Sequence, residues 1–403
     1  MYKIKPLTPL LLGANLCAYS VARAFHEYSG VKSYAFCRQR CALTQFSKII
    51  KPYVYAGLDD FKVAGPAFFD FAKKHKRERL FIIPCSEEYT ELAAYVAASF
   101  PDYYISYLPE RDVRYVLRDK SLFYKMLKEE EILYPKTKVI GYGDEIAVKA
   151  ADFSYPAVIK PSDSTHYLRY CPSKKMKKVY YPTSAEDAHN YCERLYGEGY
   201  RSGIILQEKI AGQGVKKTVL TVFFSNGVAL RAVYGKVILF YTGATISADR
   251  AAIITEGLSP TSKKLIRLFE RLGYSGFANF DMISLGDCEY VLDVSTGQGG
   301  CCDYMRAAGV NMAELLTNAV NCEAIEKELE CAKVYWHYLS HYTVSALASY
   351  ADRKEAEELL SVGLASSPLA YAPDIHKSRV RRAALSLYLR RLDRNAVKQK
   401  NAK

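Results

Sequence analysis

Two aspartates in the C-terminal half carry the strongest chemical suggestion in this chain. Asp281 stands near the end of the apolar run GFANFDMI, and Asp293 stands where YVLDVSTGQGG passes from strand-like residues into a glycine-rich loop. The turn SLGD separates the two runs, so both carboxylates are expected at neighbouring strand ends, facing one cavity. Paired hard oxygen ligands suit Mg²⁺, which keeps several waters and is shared with substrate phosphates. A lone aspartate at a strand end is as readily a turn cap; the pairing is what favours a metal. The loop STGQGG that follows adds no charge.

A phosphate-facing cation is available in Lys160, at the end of the β-type run YPAVIK. The small residues after it, including Ser162 and Ser164 in PSDST, let backbone N–H groups approach phosphate oxygens. A solvated surface lysine is the plainer reading of Lys160 alone. Glu208, ending the apolar strand IILQE, could take a ribose hydroxyl or lie on a solvated edge.

These residues need a scaffold, and the chain supplies strand–helix alternation from the start. TPLLLG, KSYAFC and RLFIIPCS read as strands; NLCAYSVARAFHEYSG, AGPAFFDFAKKHK and EEYTELAAYVAASF read as helices. Such alternation predicts an open parallel sheet, whose ligands bind beyond the carboxyl ends of the strands. That singles out Asn15, in Gly13-Ala14-Asn15, and Ser86, in Cys85-Ser86-Glu87. Asn15 could contact substrate or simply cap the helix after it. The Gly-Ala-Asn turn lacks the G-x-G-x-x-G pattern, which argues against a dinucleotide.

Residues 111–150 read as a helical linker, and SAEDAHNYCERLYGEG as a helix before the strand SGIILQEKI. TVLTVFFSNGVALRAVYGKVILF is a run of strands joined by an Asn-Gly hairpin turn. TSKKLIRLFERLGYSG and NMAELLTNAV are amphipathic helices, and the tail past Lys333 reads as mostly helical.

The 403 residues suffice for two or three domains, and the composition, half hydrophobic and one quarter charged, is globular. Eleven cysteines without framework spacing point to free thiols in a reducing cytoplasm. No 18-residue apolar stretch predicts a membrane span. The net charge of +13 is concentrated at the end: from Asp374 to Lys403 there are ten Lys or Arg against two Asp. KSRVRRAALSLYLRRLDR, with Ala383, Leu385, Leu387 and Leu389 as its apolar set, reads as a basic amphipathic helix. It could dock on the protein body, on an anionic membrane surface or, least favoured, on nucleic acid.

The order of these features resembles the ATP-grasp superfamily and, within it, the D-aspartate ligase group. LGANLCAYSVARAFHEYSGVKSYAF is similar to the family's opening strand, turn and helix. RDKSLFYKML resembles the entrance to the ATP-binding part, and YPAVIKPSDS and IILQEKIAG match the lysine loop and adenine hinge. The fold so implied is α/β: an N-terminal parallel-sheet domain over residues 1–115, an ATP-grasp domain over 116–330, and a basic helical region over 331–403. The ATP-grasp part would divide into a lid lobe at about 150–210 and a magnesium lobe at about 211–330. By the same resemblance Lys120 and Lys160 would contact phosphates, with Ser162 and Ser164 in the lysine loop. Gln207, Glu208 and Ile210 would meet the nucleotide, and Asp281, Asp293 and Ser295 the magnesium ions. Asn15, Ser86, Gln298 and Gly299 would face the substrates, the N-terminal domain helping to position an amine acceptor.

Two motifs depart from the family. Its glutamate–hydrophobic–asparagine–proline–arginine run is here Asp293-Val294-Ser295-Thr296-Gly297, although Gln298-Gly299 remains. Ser295 is a weaker magnesium ligand than an amide oxygen, and Gly297 removes a guanidinium worth about 3 kcal/mol of transition-state stabilisation in comparable sites. An arginine expected before VLT is Thr218; Lys216 or Lys217 could substitute for it, and Arg250 is either another compensating catalytic cation or an ordinary solvated arginine. The implied function is an ATP- and Mg²⁺-dependent ligase that joins a small amino acid such as D-aspartate to an amine, through an acylphosphate. A lipid-linked cell-wall precursor with a lysine side chain is the precedent for the acceptor. The alternatives are a catalytically weakened homologue that binds nucleotide or precursor, and an amide ligase with other substrates. The expected location is cytoplasmic, with peripheral contact at the inner membrane face through the basic tail, and a homodimer is compatible with the sequence.

Overall fold

Fifteen strands in three sheets carry the structure, a computed structural model that describes residues 5–170, 176–241, 249–376 and 378–401. The first sheet is wholly parallel, ordered β3-β2-β1-β4-β5. Its strands are β1 (Leu7–Leu12), β2 (Ser33–Cys37), β3 (Ile50–Val54), β4 (Arg79–Pro84) and β5 (Tyr104–Ile105). β1 and β4 are buried on both faces, which is why they read as continuous apolar runs. The sequence reading did not locate β3 and β5. Both are edge strands, and β3 contains Pro52, a residue that sheets tolerate at an edge. Asn15 caps the helix Leu16–Ser29, and Gly30 ends it in the left-handed region at φ 71°.

The second sheet is small and antiparallel, ordered β6-β8-β7, from β6 (Thr137–Ile140), β7 (Ala157–Pro161) and β8 (Ile204–Glu208). Residues 111–150 are therefore more than a helical linker. They supply the helices Arg111–Arg118, Lys120–Glu129 and Ile146–Ala151, but also β6, which pairs Thr137 with Gln207. The polar run after Lys160 also differs from the expected loop. Asp163 accepts hydrogen bonds from the N–H groups of Thr165 and His166, and a helix begins at Ser164.

The third sheet has seven strands, ordered β13-β12-β9-β10-β11-β14-β15. They are β9 (Lys216–Ser225), β10 (Val228–Phe240), β11 (Arg250–Glu256), β12 (Gly276–Leu285), β13 (Cys288–Thr296), β14 (Tyr335–His337) and β15 (Ala365–Ser366). Asn226 and Gly227 turn β9 into β10 with φ of 51° and 75°, the two positive values that a tight hairpin matching the strand twist requires. β14 and β15 show that the segment after Lys333 is not only helical; it extends this sheet. One apolar core joins the first sheet, the seven-stranded sheet and the C-terminal segment, through Leu11, Phe25, Ile83, Phe223, Ile253, Trp336 and Leu385. Full burial of each such side chain stabilises by about 1.5–3 kcal/mol.

The basic tail forms the helix Arg379–Asn401 and docks on the protein body. Its buried positions are Arg381, Leu385, Leu392 and Ala396, at helical spacing. Of the expected apolar set, Leu385 and Leu389 pack on the core, whereas Ala383 is exposed and Leu387 is 67% exposed. An every-second-residue pattern cannot keep to one side of a 3.6-residue helix. Arg381 fixes the docking. Its guanidinium donates to Asp374 at 3.0 Å and to the carbonyls of Ala42, Leu43 and Gln45. Asp374 also accepts from Tyr19, Ser47 and the Lys48 amide. No helix among the described residues is long and apolar enough to cross a membrane.

Candidate active site

Asp281 on β12 and Asp293 on β13 are register partners in an antiparallel pair. They do not end their strands as expected: both strands continue past them, so the carboxylates project from the face of a hairpin. A register shift between Asp281 and Met282 marks the spot, a place where sheets often re-aim a side chain. Asn279 and Ser295 form the pair two rungs on, so period-two alternation puts Asn279, Asp281, Asp293 and Ser295 on one face.

Each carboxylate has its own cation. Asp281 accepts from the Arg250 guanidinium, and Asp293 takes Lys120 Nζ at 3.0 Å. Burial is the largest influence on Asp281 and lifts its pKa, with Asp249 and Asp293 adding to the rise and Arg250 opposing it. Burial also works against ionisation of Asp293, but Lys120, Lys160 and Lys178 outweigh it and hold the group below the usual carboxylate range. Lys120 is raised in turn: Asp293 and Glu87 outweigh the penalty of burying its ammonium.

Lys120 and Lys160 come from different elements and meet behind Asp293. Asp119 caps the helix that begins at Lys120, and the Lys120 N–H donates to the Ser162 carbonyl. Lys120 Nζ also reaches Ser164 Oγ at 3.4 Å. Lys160 donates to the Tyr124 hydroxyl at 2.8 Å and the Leu292 carbonyl at 3.0 Å. Burial without a directly bonded carboxylate lowers its pKa to about 8. The Ser162 side chain is wholly buried, and its backbone links Lys120 to Gly203.

The hinge residues sit on β8 and just beyond it. Gln207 is buried and donates to Thr137, whereas Glu208 is exposed at the end of the central strand β8 and Ile210 is half-buried. On β9, Lys217 pairs with Ile283, two residues beyond Asp281, and so lies on the face of the carboxylate pair; its ammonium stands 3.8 Å from the Phe240 ring centroid. Thr218 points the other way. It donates to the buried Glu289 carboxylate, which also accepts from Tyr234 and Ser259. The position expected to hold an arginine therefore belongs to a hydrogen-bond network centred on Glu289 behind the sheet.

The four residues expected to face substrate line one small cavity of about 150 Å³. Asn15 and Ser86 approach from the first sheet, Gln298 and Gly299 from the loop after β13. Asn15 is at once a helix cap and a tie to the neighbouring strand end, accepting from Ala18 N and donating to the Cys85 carbonyl. Gly299, at φ 66°, lets the loop approach Asn279: a Cβ there would lie 2.9 Å from the Asn279 side chain.

Two residues of the site, Asn279 and Tyr124, escaped the sequence reading. Asn279 was signalled by alternation, standing two residues before Asp281. Glu87, within the Cys85-Ser86-Glu87 turn that the sequence singles out, lines the same cavity. Tyr124 carried no local signal; only the meeting of the Lys120–Glu129 helix with β13 puts its hydroxyl on the Leu292 carbonyl.

No known family profile matches the chain. In sequence it is similar to a D-aspartate ligase of Enterococcus faecium (strain Aus0004), 27% identical over 320 residues, covering 77% of this chain and 75% of that protein. In structure it is similar to the biotin carboxylase domain of Hydrogenobacter thermophilus 2-oxoglutarate carboxylase, with TM-score 0.62, 14% identity, and coverage of 81% and 73%. N5-carboxyaminoimidazole ribonucleotide synthetase aligns with TM-score 0.59 at 13% identity over 85% of each chain. An L-amino acid ligase of Bacillus licheniformis aligns with TM-score 0.54 at 15% identity over 79% and 75%. The three-sheet architecture thus agrees with the resemblance read from the sequence, and the chain has the ATP-grasp fold, with sequence similarity to a D-aspartate ligase.

Proposed function

We propose that this protein is an ATP-dependent ligase that forms an amide between the carboxylate of a small amino acid, D-aspartate or one like it, and an amine acceptor. The observation that carries the reading is the register pair Asp281–Asp293, ringed by Lys120, Lys160 and Arg250 in a protein of ATP-grasp fold. The two carboxylates fit Mg²⁺ shared with a nucleotide's phosphates, not an all-protein cage. Among the described residues no cluster of three or more His, Cys, Asp or Glu could hold a metal. Asp281 and Asp293 would hold the ion, with Ser295 beside them, and it would supply charge neutralisation at the phosphate oxygens.

The chain's own residues would do the rest. Lys120 and Lys160 turn from Asp293 and Tyr124 toward phosphate oxygens, while Gln207, Glu208 and Ile210 border the nucleotide. The amino-acid carboxylate attacks the γ-phosphorus, ADP leaves, and an acylphosphate forms. The amine nitrogen then bonds to the acyl carbon, phosphate departs, and a proton passes to solvent. Arg250 and Lys217 stand on the face where charge develops on the transferring group and would stabilise it there. The lipid-linked precursor, a cytoplasmic location and membrane contact by the outer arginines of the tail belong to the same proposal.

A second reading has one specific observation in its favour: both carboxylates already carry protein cations, and Gly297 leaves no guanidinium in the loop. That describes a homologue that binds nucleotide or precursor without turnover. Phosphate release separates the two. Purified protein with Mg²⁺ and ATP should release phosphate only when a carboxylate and an amine are both present. Intact ATP binding without turnover across a panel of small amino acids would refute the ligase reading.

A further inference from the structure

Three buried thiols meet where the helix Leu16–Ser29 touches the loop after β13. Cys17 stands in the first turn of that helix, two residues after Asn15. Cys302 is the N-cap residue of the helix Asp303–Ala307, three residues after Gly299. Their Sγ atoms are 3.9 Å apart, although 285 positions separate them in the chain. Cys85, just past the end of β4, shares the contact: its thiol is hydrogen-bonded to Cys17 as well. Each of the three is no more than 2% exposed. Among the described residues no group of three His, Cys, Asp or Glu is set to hold a metal, so the thiols do not form a metal site.

Thiols are weak hydrogen-bonding groups, so this contact by itself does little to hold the two segments together. A covalent bond would. A disulfide needs its sulfurs about 2.05 Å apart, so the pair has to close by about 2 Å. One side has the slack for that: Gly297, Gly299 and Gly300 lie in the five residues before Cys302, whereas Cys17 sits in a capped helix. Hydrogen bonds from the Cys302 and Cys85 thiols lower the pKa of Cys17 against the opposing effect of burial, which marks Cys17 as the nucleophile. Buried thiols are ordinarily inert, but Cys85 and Gly300 both line the cavity expected to face substrate. Its 150 Å³ has room for hydrogen peroxide, and that oxidant arrives there beside the thiols.

We propose that Cys17 and Cys302 are an oxidation site: they form a reversible disulfide that clamps the loop 297–300 onto the helix Leu16–Ser29 and narrows the cavity between them. The Cys17 thiolate displaces hydroxide from hydrogen peroxide and becomes a sulfenic acid. The Cys302 thiol then attacks that sulfur, the S–O bond breaks, the S–S bond forms and water leaves. In sum two thiols are oxidised, one peroxide is reduced and two waters form. A thiol reductant reverses the bond by exchange. Transient disulfides of this kind are the regulatory ones of compartments that keep thiols reduced. The clamp also reaches the acidic hairpin, because Cys301 donates to the carbonyl of Arg250, whose guanidinium holds Asp281. That the clamp switches turnover rests on the ligase reading above; the bond itself does not.

The test treats the reduced full chain with hydrogen peroxide under native conditions, then alkylates it and digests it without reduction. Mass spectrometry should find the peptide cross-linked through Cys17 and Cys302, and dithiothreitol should remove it. Amide hydrogen exchange over residues 297–302 should slow roughly tenfold in the oxidised protein. Phosphate release with Mg²⁺, ATP, small amino acids and an amine should fall roughly ten- to hundredfold on oxidation, the usual cost of a displaced site, and return with dithiothreitol. Cys302→Ser should keep its turnover through the same treatment, and Cys17→Ala should do so from the other side of the bond. Cys288→Ser with Cys322→Ser, which removes two exposed thiols, should be inactivated like the wild type. Absence of the cross-linked peptide, or a Cys17–Cys85 bond in its place, would overturn the proposal. A Cys17–Cys302 bond that leaves both exchange and turnover unchanged would overturn the clamp. No turnover by the reduced protein with any amino acid would refute the ligase reading alone, because the mapped bond and the exchange rates still decide this one.

Discussion

Asp281 and Asp293 face each other across one rung of the β12–β13 hairpin, yet each is neutralised by a cation from elsewhere, Arg250 from β11 and Lys120 from a helix in the N-terminal third. Two carboxylates this close would repel, and the arrangement keeps both ionisable in a half-buried setting. In the proposed reaction Arg250 and Lys120 would turn from these carboxylates to phosphate, as Asp281 and Asp293 take up the metal.

Asp281→Asn and Asp293→Asn should each lower phosphate-transfer turnover by two orders of magnitude or more, on the order of 3 kcal/mol. Their stability effects should differ. Asp293→Asn strands the buried ammonium of Lys120, a loss of about 1–3 kcal/mol. Asp281→Asn leaves Arg250 with Asp249 close by.

 Asp249, whose carboxylate lies 3.9 Å from Arg250, then keeps that guanidinium partly paired. Thermal unfolding of the two variants, beside their phosphate-release rates, checks both statements.

If Lys160 meets phosphate as proposed, nucleotide binding has a pH limit. Its pKa is lowered to about 8, chiefly by burial, so the ammonium is present below that pH and lost above it. ATP affinity should therefore weaken as pH rises from 7 to 9, and Lys160→Met should bind ATP weakly with a flat profile. Stability moves the other way. The unfolded chain holds the Lys160 proton up to about pH 10.5, so between about 8 and 10.5 it binds more protons than the folded one, and stability rises with pH there. Calorimetric ATP titrations at several pH values, with parallel denaturant melts, measure both trends.

Thr218 and Lys217 should separate cleanly. Lys217→Ala removes a cation from the carboxylate face and should lower turnover with little effect on folding. Thr218→Arg should not raise turnover, because the side chain points into the Glu289 network behind the sheet. It should destabilise the fold by about 1–3 kcal/mol through overpacking. Initial rates and melting temperatures decide it; a gain of activity in Thr218→Arg would contradict the facing described here.

Arg381→Ala should be among the most destabilising single changes, about 3–5 kcal/mol, since it leaves Asp374 buried without its cation and three carbonyls without a donor. Truncation before the helix Arg379–Asn401 should expose the core around Leu385 and Leu392 and promote aggregation. Binding of the full chain to anionic vesicles, if the outer arginines mediate it, should fall steeply with salt; Arg390→Glu with Arg391→Glu should abolish it without lowering the melting temperature.

The sequence by itself determined the elements whose pattern is local. The parallel strands β1, β2 and β4 announce themselves as apolar runs, the hairpin at Asn226-Gly227 by its turn residues, and the order of lysine loop, hinge and acidic strands by resemblance. Tertiary structure decided what depends on distant partners. Which face Lys217 and Thr218 present follows from the register of β9 with β12, and Asp281 and Asp293 became mid-strand partners because pairing carries both strands past them. The edge strands β3, β5 and β15, and the three-residue β14 beside β15, are too short or too irregular to signal themselves and exist because a neighbour offers hydrogen bonds. The tail's side was likewise set from outside: a buried arginine among basic residues looks like any other until Asp374 and three carbonyls surround it. Periodicity is a property of a segment, whereas register, facing and charge pairing belong to two segments at once, and only the folded chain brings the second one.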